Sequence, residues 1–186
     1  TMHICWGAQA GLYYHYGIQK YPLPAKAFGI FDHQITDRRH HLVRGFDDLF
    51  PAPHSRYTEN RLEDIRKHPD LIPLAWSPQV GSNIVLSKDN RQIFISGHLE
   101  YNPLTLKNEY DRDRAKGLDI AVPKNYFPEN DPHKEPIIRW RAHASLLFSN
   151  WLGLIPHLEE PTKDLNTTLG LGIMGFVIAH YAGIKS

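Results

Sequence analysis

The stretch Met2-His3-Ile4-Cys5-Trp6-Gly7-Ala8-Gln9-Ala10 decides how the rest of the chain is read. Met2 to Cys5 is short and apolar enough to end a strand. Ala8 to Tyr16 reads as a helix, with Gly17 as its stop. A strand that turns into a helix through a cysteine makes a sharp elbow, and small neighbours relieve the crowding there. Gly7, two residues past the cysteine, meets that need. The helix N-terminus would lower the thiol pKa and offer backbone N–H groups to an oxyanion. A buried, inert thiol is the plain alternative for a lone cysteine.

Outward from the elbow, strand and helix signals alternate. Ala27 to Phe31 reads as a strand, and Leu42 to Phe50 follows the polar stretch Thr36 to His41. Pro51 to Pro53 reads as a loop, and Thr58 as the cap of a helix from about Glu59 to Lys67. Leu71 to Ala75, Ser82 to Ser87 and Gln92 to Ser96 read as strands, the last two joined by the turn Lys88 to Arg91. Leu104 to Lys116 is a charged helix, Ala121 to Pro136 a Pro-rich loop, and Trp140 to Leu152 an amphipathic helix. This alternation predicts an α/β three-layer sandwich around a central, mostly parallel sheet. An elbow strand is normally central in such a sheet, with neighbours supplied by earlier sequence. Here it comes first, which suggests a missing N-terminal part.

The 186 residues carry 21 Lys plus Arg against 20 Asp plus Glu, so the formal net charge is +1. That balance lacks the footprint of a nucleic-acid or anionic-membrane binder. A hydrophobic share of 41% fits one globular core. A single Cys, Cys5, excludes an intrachain disulfide and any CxxC motif, and points to a reducing cytoplasm. Adjacent His residues in Arg38 to His41 point apart, and no H-E-x-x-H is present, so no metal is expected.

A thiol nucleophile needs a base, and the base needs an orienting group. Gly97-His98-Leu99-Glu100-Tyr101 follows the strand ending at Ser96, and puts His98 and Glu100 on one side of an extended segment. Among 12 His and 20 acids an H-x-E also arises by chance, and a solvated loop is the bland reading. Pro53-His54-Ser55-Arg56-Tyr57-Thr58 offers hydroxyls and a guanidinium from a loop before a helix. Asn108 to Arg114 is a charged helix face in which one Arg could pair with a substrate carboxylate.

Taken together, T-M-H-I-C-W-G-A-Q-A, P-H-S-R-Y-T, G-H-L-E-Y, E-Y-D-R-D, N-Y-F-P-E-N-D-P, W-R-A-H-A and N-W-L resemble the homoserine O-succinyltransferase/O-acetyltransferase family of methionine biosynthesis. The blocks fit in order and spacing from Thr1 to about Leu152. The resemblance implies a class I glutamine amidotransferase-like (flavodoxin-like) fold. It implies acyl transfer from acyl-CoA, succinyl or acetyl, to the hydroxyl of L-homoserine through a Cys thioester. By the same resemblance Cys5 is the acyl-accepting nucleophile, His98 the proton acceptor and Glu100 its acidic partner. Lys26, Ser55 and Arg112 match substrate-contacting positions, and the Trp6 backbone N–H is an oxyanion donor. No bound cofactor is implied beyond acyl-CoA as co-substrate, and a homodimer is a fair expectation. A relative acting on L-serine, a glutamine-amidotransferase-like hydrolase and an inactive remnant are the alternatives.

The sequence departs from that pattern where it has G-H-L-E-Y-N for the common G-H-P-E-Y-D, and in lacking the family's N-terminal portion. Residues 1–152 read as the catalytic domain and 153–186 as a divergent tail. In that tail Leu169 to Ile184 contains Gly170, Gly172 and Gly175, a G-x-G-x-x-G match. The sequence ends 11 residues past Gly175, too soon for a dinucleotide-binding βαβ unit. The run is also too short for a membrane span, for which about 20 apolar residues are needed.

Overall fold

The computed structural model describes residues 1–158. The leading strand is β1 (Met2–Ile4), followed by helix α1 (Trp6–Tyr16) and the long strand β2 (Tyr21–Ile35). Then come β3 (Leu49–Glu59), the short helix α2 (Leu62–Lys67), β4 (Leu71–Ser77), β5 (Gly81–Ser87) and β6 (Ile93–Ile95). Helices α3 (Thr105–Ala115) and α4 (Arg141–Leu158) complete the order. The chain divides into two compact units, Thr1–Trp151 and Leu152–Ser186. The described part of the second is the C-terminal end of α4. The glycine-rich run Leu169 to Ile184 lies outside the described residues.

The six strands form one sheet in the order β1-β6-β5-β4-β2-β3. The α/β class holds, but the sheet is mixed rather than mostly parallel. Only β1 and β6 pair in parallel among the described strands, Met2 opposite Ile93 and Ile4 opposite Ile95. The other ladders, β2–β3, β2–β4, β4–β5 and β5–β6, are antiparallel. The connections explain the difference. β4 to β5 and β5 to β6 are joined by short turns, which allow only antiparallel neighbours, whereas β1 reaches β6 through most of the domain.

Helix α1 packs Ala8 and Leu12 onto Val85 of β5 and Phe94 of β6, beside Ile65 of α2 and Leu71 of β4. Burying the larger of these side chains, Leu12, Ile65, Leu71, Val85 and Phe94, contributes about 1.5–3 kcal/mol each. Strand β5 is buried at every position from Ser82 to Ser87, so the sheet is covered on both faces there. The close approach of α1 depends on Gly11, where a Cβ would stand 2.8 Å from Phe94 Cε1 and 3.4 Å from His3 Nδ1. A Cβ on Gly7 would meet nothing within 4 Å, so the small-residue requirement expected at Gly7 falls on Gly11 instead.

Two local expectations are corrected. Pro51 to Pro53 is strand, not loop, and Pro53-His54-Ser55-Arg56-Tyr57-Thr58 lies within β3. Because β3 is the outer strand, its prolines forgo no ladder bond on their free side. Thr58 and Glu59 also belong to β3, so Thr58 caps no helix; α2 begins at Leu62 behind Arg61. The Pro-rich segment after α3 docks on β2 at Gly29, whose φ is 136°. Ile30 N–H donates to Lys124 O at 2.8 Å and Lys124 N–H to Phe28 O at 3.0 Å, and a Cβ on Gly29 would collide with the Lys124 backbone.

Candidate active site

Cys5 sits between β1 and α1 with φ 51° and ψ −114°. A side chain in that region of backbone space is strained, and such strain concentrates where a reactive group must be held out of a regular element. The turn is fastened on both sides. Cys5 N–H donates to Ile95 O at 2.7 Å, and Gln9 N–H closes the first helical turn on Cys5 O at 3.1 Å. Buried Gln9 also exchanges hydrogen bonds with Thr58 on β3, giving Nε2–H to Thr58 O at 2.9 Å and accepting from Thr58 Oγ1 at 2.7 Å.

The turn after β6 brings His98 and Glu100 to the thiol. His98 N–H donates to Pro53 O at 2.8 Å, and Gly97 N–H to Asn83 Oδ1 at 2.9 Å. Gly97 is fixed by space, since a Cβ would lie 2.9 Å from Asn83 Oδ1 and 3.0 Å from His54 Nε2. His98 Nδ1 meets Glu100 Oε1 at 2.6 Å, and the imidazole stacks on the Tyr101 ring at 4.0 Å between centroids. Tyr101 O in turn accepts from Trp140 Nε1 at 3.3 Å, tying this turn to the start of α4.

The electrostatics favour an ion pair. Burial pulls the His98 imidazole down, but hydrogen bonds to Cys5 and Glu100 and the charge of both outweigh it and push its pKa up to about 9. Burial pushes the Cys5 thiol up, yet the hydrogen bond and charge of His98, the Trp6 backbone N–H and the Arg56 charge together bring it below its ordinary value. Each shift favours the charged form of its group, which biases the pair toward thiolate and imidazolium. The Trp6 side chain is 70% exposed, and its backbone N–H hydrogen-bonds the sulfur.

The three other predicted positions converge on a residue the sequence did not single out. Lys26 Nζ lies 2.6 Å from Glu109 Oε1, and Ser55 Oγ donates to the same oxygen at 2.8 Å. Arg112 Nη2 stands 3.9 Å from it, while Arg112 Nε pairs with Asp113 Oδ1 at 2.7 Å. Lys26 belongs to the part of β2 where the register with β3 slips, between Pro22 and Ala27, and its ammonium lies 4.1 Å from the Phe28 ring centroid. Glu109 and Arg112 are three apart on α3, hence on one face. The quoted block E-Y-D-R-D held Glu109 in view, but one acid in a charged helix carries no mark of its own.

A second feature escaped the sequence entirely. His33 of β2 and His54 of β3 are both fully buried, with their Nε2 atoms 3.0 Å apart. Arg56 Nε donates to His54 Nδ1 at 3.3 Å, and its other nitrogens reach Thr58 O and Val80 O. Burial, with Arg56 adding to it, drives the His33 pKa down to about 3 despite backbone hydrogen bonds that oppose it. Burial and the neighbouring cations hold His54 well below its ordinary value too. Among the described residues no group of three or more His, Cys, Asp or Glu is arranged to hold a metal ion, and no helix is long and apolar enough to cross a membrane.

Comparison with known proteins gives the family and the fold. The family model described as homoserine O-succinyltransferase matches residues 1–161. A protein of Brevibacillus brevis named homoserine O-acetyltransferase is 58% identical over 166 residues, covering 89% of this chain and 54% of that protein. Its namesake from Lysinibacillus sphaericus is 59% identical, covering 87% and 52%. The chain thus spans about half the length of the curated relatives it matches. Among solved structures, a glutamine amidotransferase from Methylobacillus flagellatus superposes with a TM-score of 0.55 at 14% identity, covering 82% of this chain and 61% of that one. A glutamine amidotransferase from Thermotoga maritima gives 0.50 at 14% identity, covering 80% and 53%. At such identity the likeness is one of fold, and it agrees with the class I glutamine amidotransferase-like architecture expected from the sequence.

Proposed function

Because the chain belongs to the homoserine O-succinyltransferase family, we propose that it carries the catalytic part of a homoserine O-acyltransferase, within residues 1–152. The observation that carries the reading is the strained Cys5 elbow held against the His98–Glu100 pair.

In the first half-reaction the Cys5 thiolate attacks the thioester carbonyl of acyl-CoA. The Trp6 backbone N–H, with the helix N-terminus behind it, stabilises the tetrahedral oxyanion. The intermediate collapses, the C–S bond to CoA breaks, and the departing thiolate takes the proton of the His98 imidazolium. His98 is then neutral and acts as base. It takes the proton of the L-homoserine hydroxyl as that oxygen attacks the acyl-Cys5 carbonyl. The second intermediate expels the Cys5 thiolate, leaving O-acyl-homoserine and the ion pair restored. Glu100 keeps His98 oriented and steadies its charged form throughout. Lys26, Ser55 and Arg112 bind the acceptor, Arg112 through its carboxylate.

Relatives at 58% and 59% identity are named acetyltransferases, which makes acetyl-CoA the first donor to test and succinyl-CoA the second. Both substrates belong to the cytoplasm, and a homodimer is part of the same reading. The test is intact-mass spectrometry of the folded protein after incubation with each donor, beside C5A. A Cys5-dependent gain of one acyl group is expected, and the donor that produces it identifies the acyl chain. No gain with either donor overturns the reading.

A further inference from the structure

We infer that Gln9 and Thr58 are positioning residues, a clamp between α1 and β3 that holds the Cys5 elbow in register with the His98 turn. The inference takes Cys5 and His98 as the reactive pair, and so rests on the acyltransferase reading above. The two come from different elements, Cys5 from the end of β1 and His98 from the turn after β6. A sulfur and an imidazole that share a proton tolerate little slack, and a misplacement of about 1 Å can cost about 100-fold in rate.

Part of the register is set by the backbone. Cys5 N–H donates to Ile95 O at 2.7 Å, which ties the strand side of the elbow to β6. That bond leaves the helix side free to rotate or slide. Helix α1 lies on the sheet through Ala8 and Leu12, and apolar packing is not directional. Gln9 supplies the direction. It is 5% exposed, and its amide is used twice on one residue, Nε2–H donating to Thr58 O at 2.9 Å and Oε1 accepting from Thr58 Oγ1 at 2.7 Å. Among the described residues it is the only side chain in the first two turns of α1 that hydrogen-bonds outside the helix. Its own N–H closes on Cys5 O at 3.1 Å, so the clamp acts one helical turn from the strained φ of 51°.

The strand that receives Gln9 also receives the base. Strands β1 and β3 stand at opposite ends of the sheet order, yet α1 reaches Thr58, and His98 N–H donates to Pro53 O at 2.8 Å. The stretch of β3 from Pro53 to Thr58, about 16 Å of extended chain, therefore carries one anchor for each member of the pair. The Arg56 guanidinium stiffens that stretch by donating to His54 Nδ1 at 3.3 Å and to Thr58 O at 2.7 Å. Loosening the Thr58 end lets α1 shift relative to the His98 turn while both elements stay folded.

Thr58→Val is the sharpest test, because it keeps the shape and β-branching of the side chain and removes only the donor to Gln9 Oε1. Thr58→Ser keeps the hydroxyl. Each variant is alkylated with iodoacetamide across pH, incubated with acyl-CoA for intact-mass measurement of acyl-Cys5, and denatured chemically. In T58V the pH at which the thiolate appears should rise, and acyl loading at neutral pH should slow roughly 10- to 100-fold. T58S should behave as the parent protein does on both counts. Gln9→Leu should reproduce T58V, and the double variant should lose no more than either single one, since the two residues act as a unit. A lower denaturation midpoint in T58V with an unmoved thiolate limb and parent-like loading would overturn the proposal and leave the pair as a brace for the fold. T58S failing as badly as T58V would overturn it too. If the parent protein loads no acyl group, the acyltransferase reading falls, and the alkylation limb still decides for or against the clamp.

Discussion

Two imidazole environments lie on either side of Gly97, half-buried His98 and the fully buried pair His33 and His54, and they behave in opposite ways. His98 is pushed up to about 9, and His33 is driven down to about 3. Burial acts downward on both. What separates them is the company each keeps. His98 has a carboxylate and the Cys5 sulfur within hydrogen-bond reach, whereas His33 and His54 have each other and the Arg56 guanidinium. The same residue type thus becomes a charge carrier in one place and a neutral spacer in the other, and the sign follows from whether an anion shares the pocket.

Removing that anion breaks the comparison most sharply. Glu100→Gln deletes a hydrogen bond and a charge that hold His98 up. His98 then loses its proton at lower pH, and the Cys5 thiol, no longer beside a full imidazolium, titrates higher. Acyl transfer should drop about 100-fold, the usual scale for a disabled general base. The rate of Cys5 alkylation by iodoacetamide against pH checks the cause. In the parent protein the thiolate limb appears below the ordinary thiol range; in E100Q it should move up. An unmoved limb would mean that Glu100 does not govern the pair.

The second change acts at the seam. Gly97→Ala puts a Cβ 3.0 Å from His54 Nε2 and 2.9 Å from Asn83 Oδ1, so the two imidazole sets must move apart. Overpacking of this kind costs about 1–3 kcal/mol. Chemical denaturation should register that loss, together with slower Cys5 alkylation at neutral pH, because the turn that carries His98 is displaced.

The smallest effect concerns the neutral pair. The folded-state pKa of His33 lies below its unfolded value of 6.5, and His54 is shifted the same way. Between about 6.5 and the folded values the unfolded chain binds more protons. The stability these residues support is therefore full above pH 6.5 and is lost as pH falls toward 3. The slope approaches about 1.4 kcal/mol per pH unit for each imidazole. Denaturation midpoints measured from pH 7 to pH 4 should fall accordingly, and His33→Gln should flatten the fall. A parent protein equally stable at both ends would show that the pair is not neutral.

Much of this molecule was legible in its sequence because the decisive signals are local. Strand, Cys5 and α1 follow one another without a break, and His98 and Glu100 are two residues apart beyond a short apolar strand. What stayed hidden depends on register and on edges. β3 was obscured by Pro51 and Pro53, which an outer strand tolerates and an inner one does not. His33 and His54 meet only because β2 and β3 pair with Gly29 opposite His54 and His33 opposite Phe50. Glu109 could not be told from its charged neighbours on α3 until Lys26 and Ser55 arrived from β2 and β3. The parallel reading of the sheet failed because β4, β5 and β6 are joined by short turns, which dictate antiparallel partners, and β2 pairs antiparallel with both β3 and β4.

The backbone at Cys5 has an implication for how this sequence can change. At φ 51° and ψ −114° glycine would sit with least strain, and every other side chain, the thiol included, sits there at a cost. A population of variants sorted for thermal robustness alone would therefore drift away from cysteine at this position. Its presence records a selection that outweighed comfort of folding, and robustness screens on this protein need an activity gate to keep it.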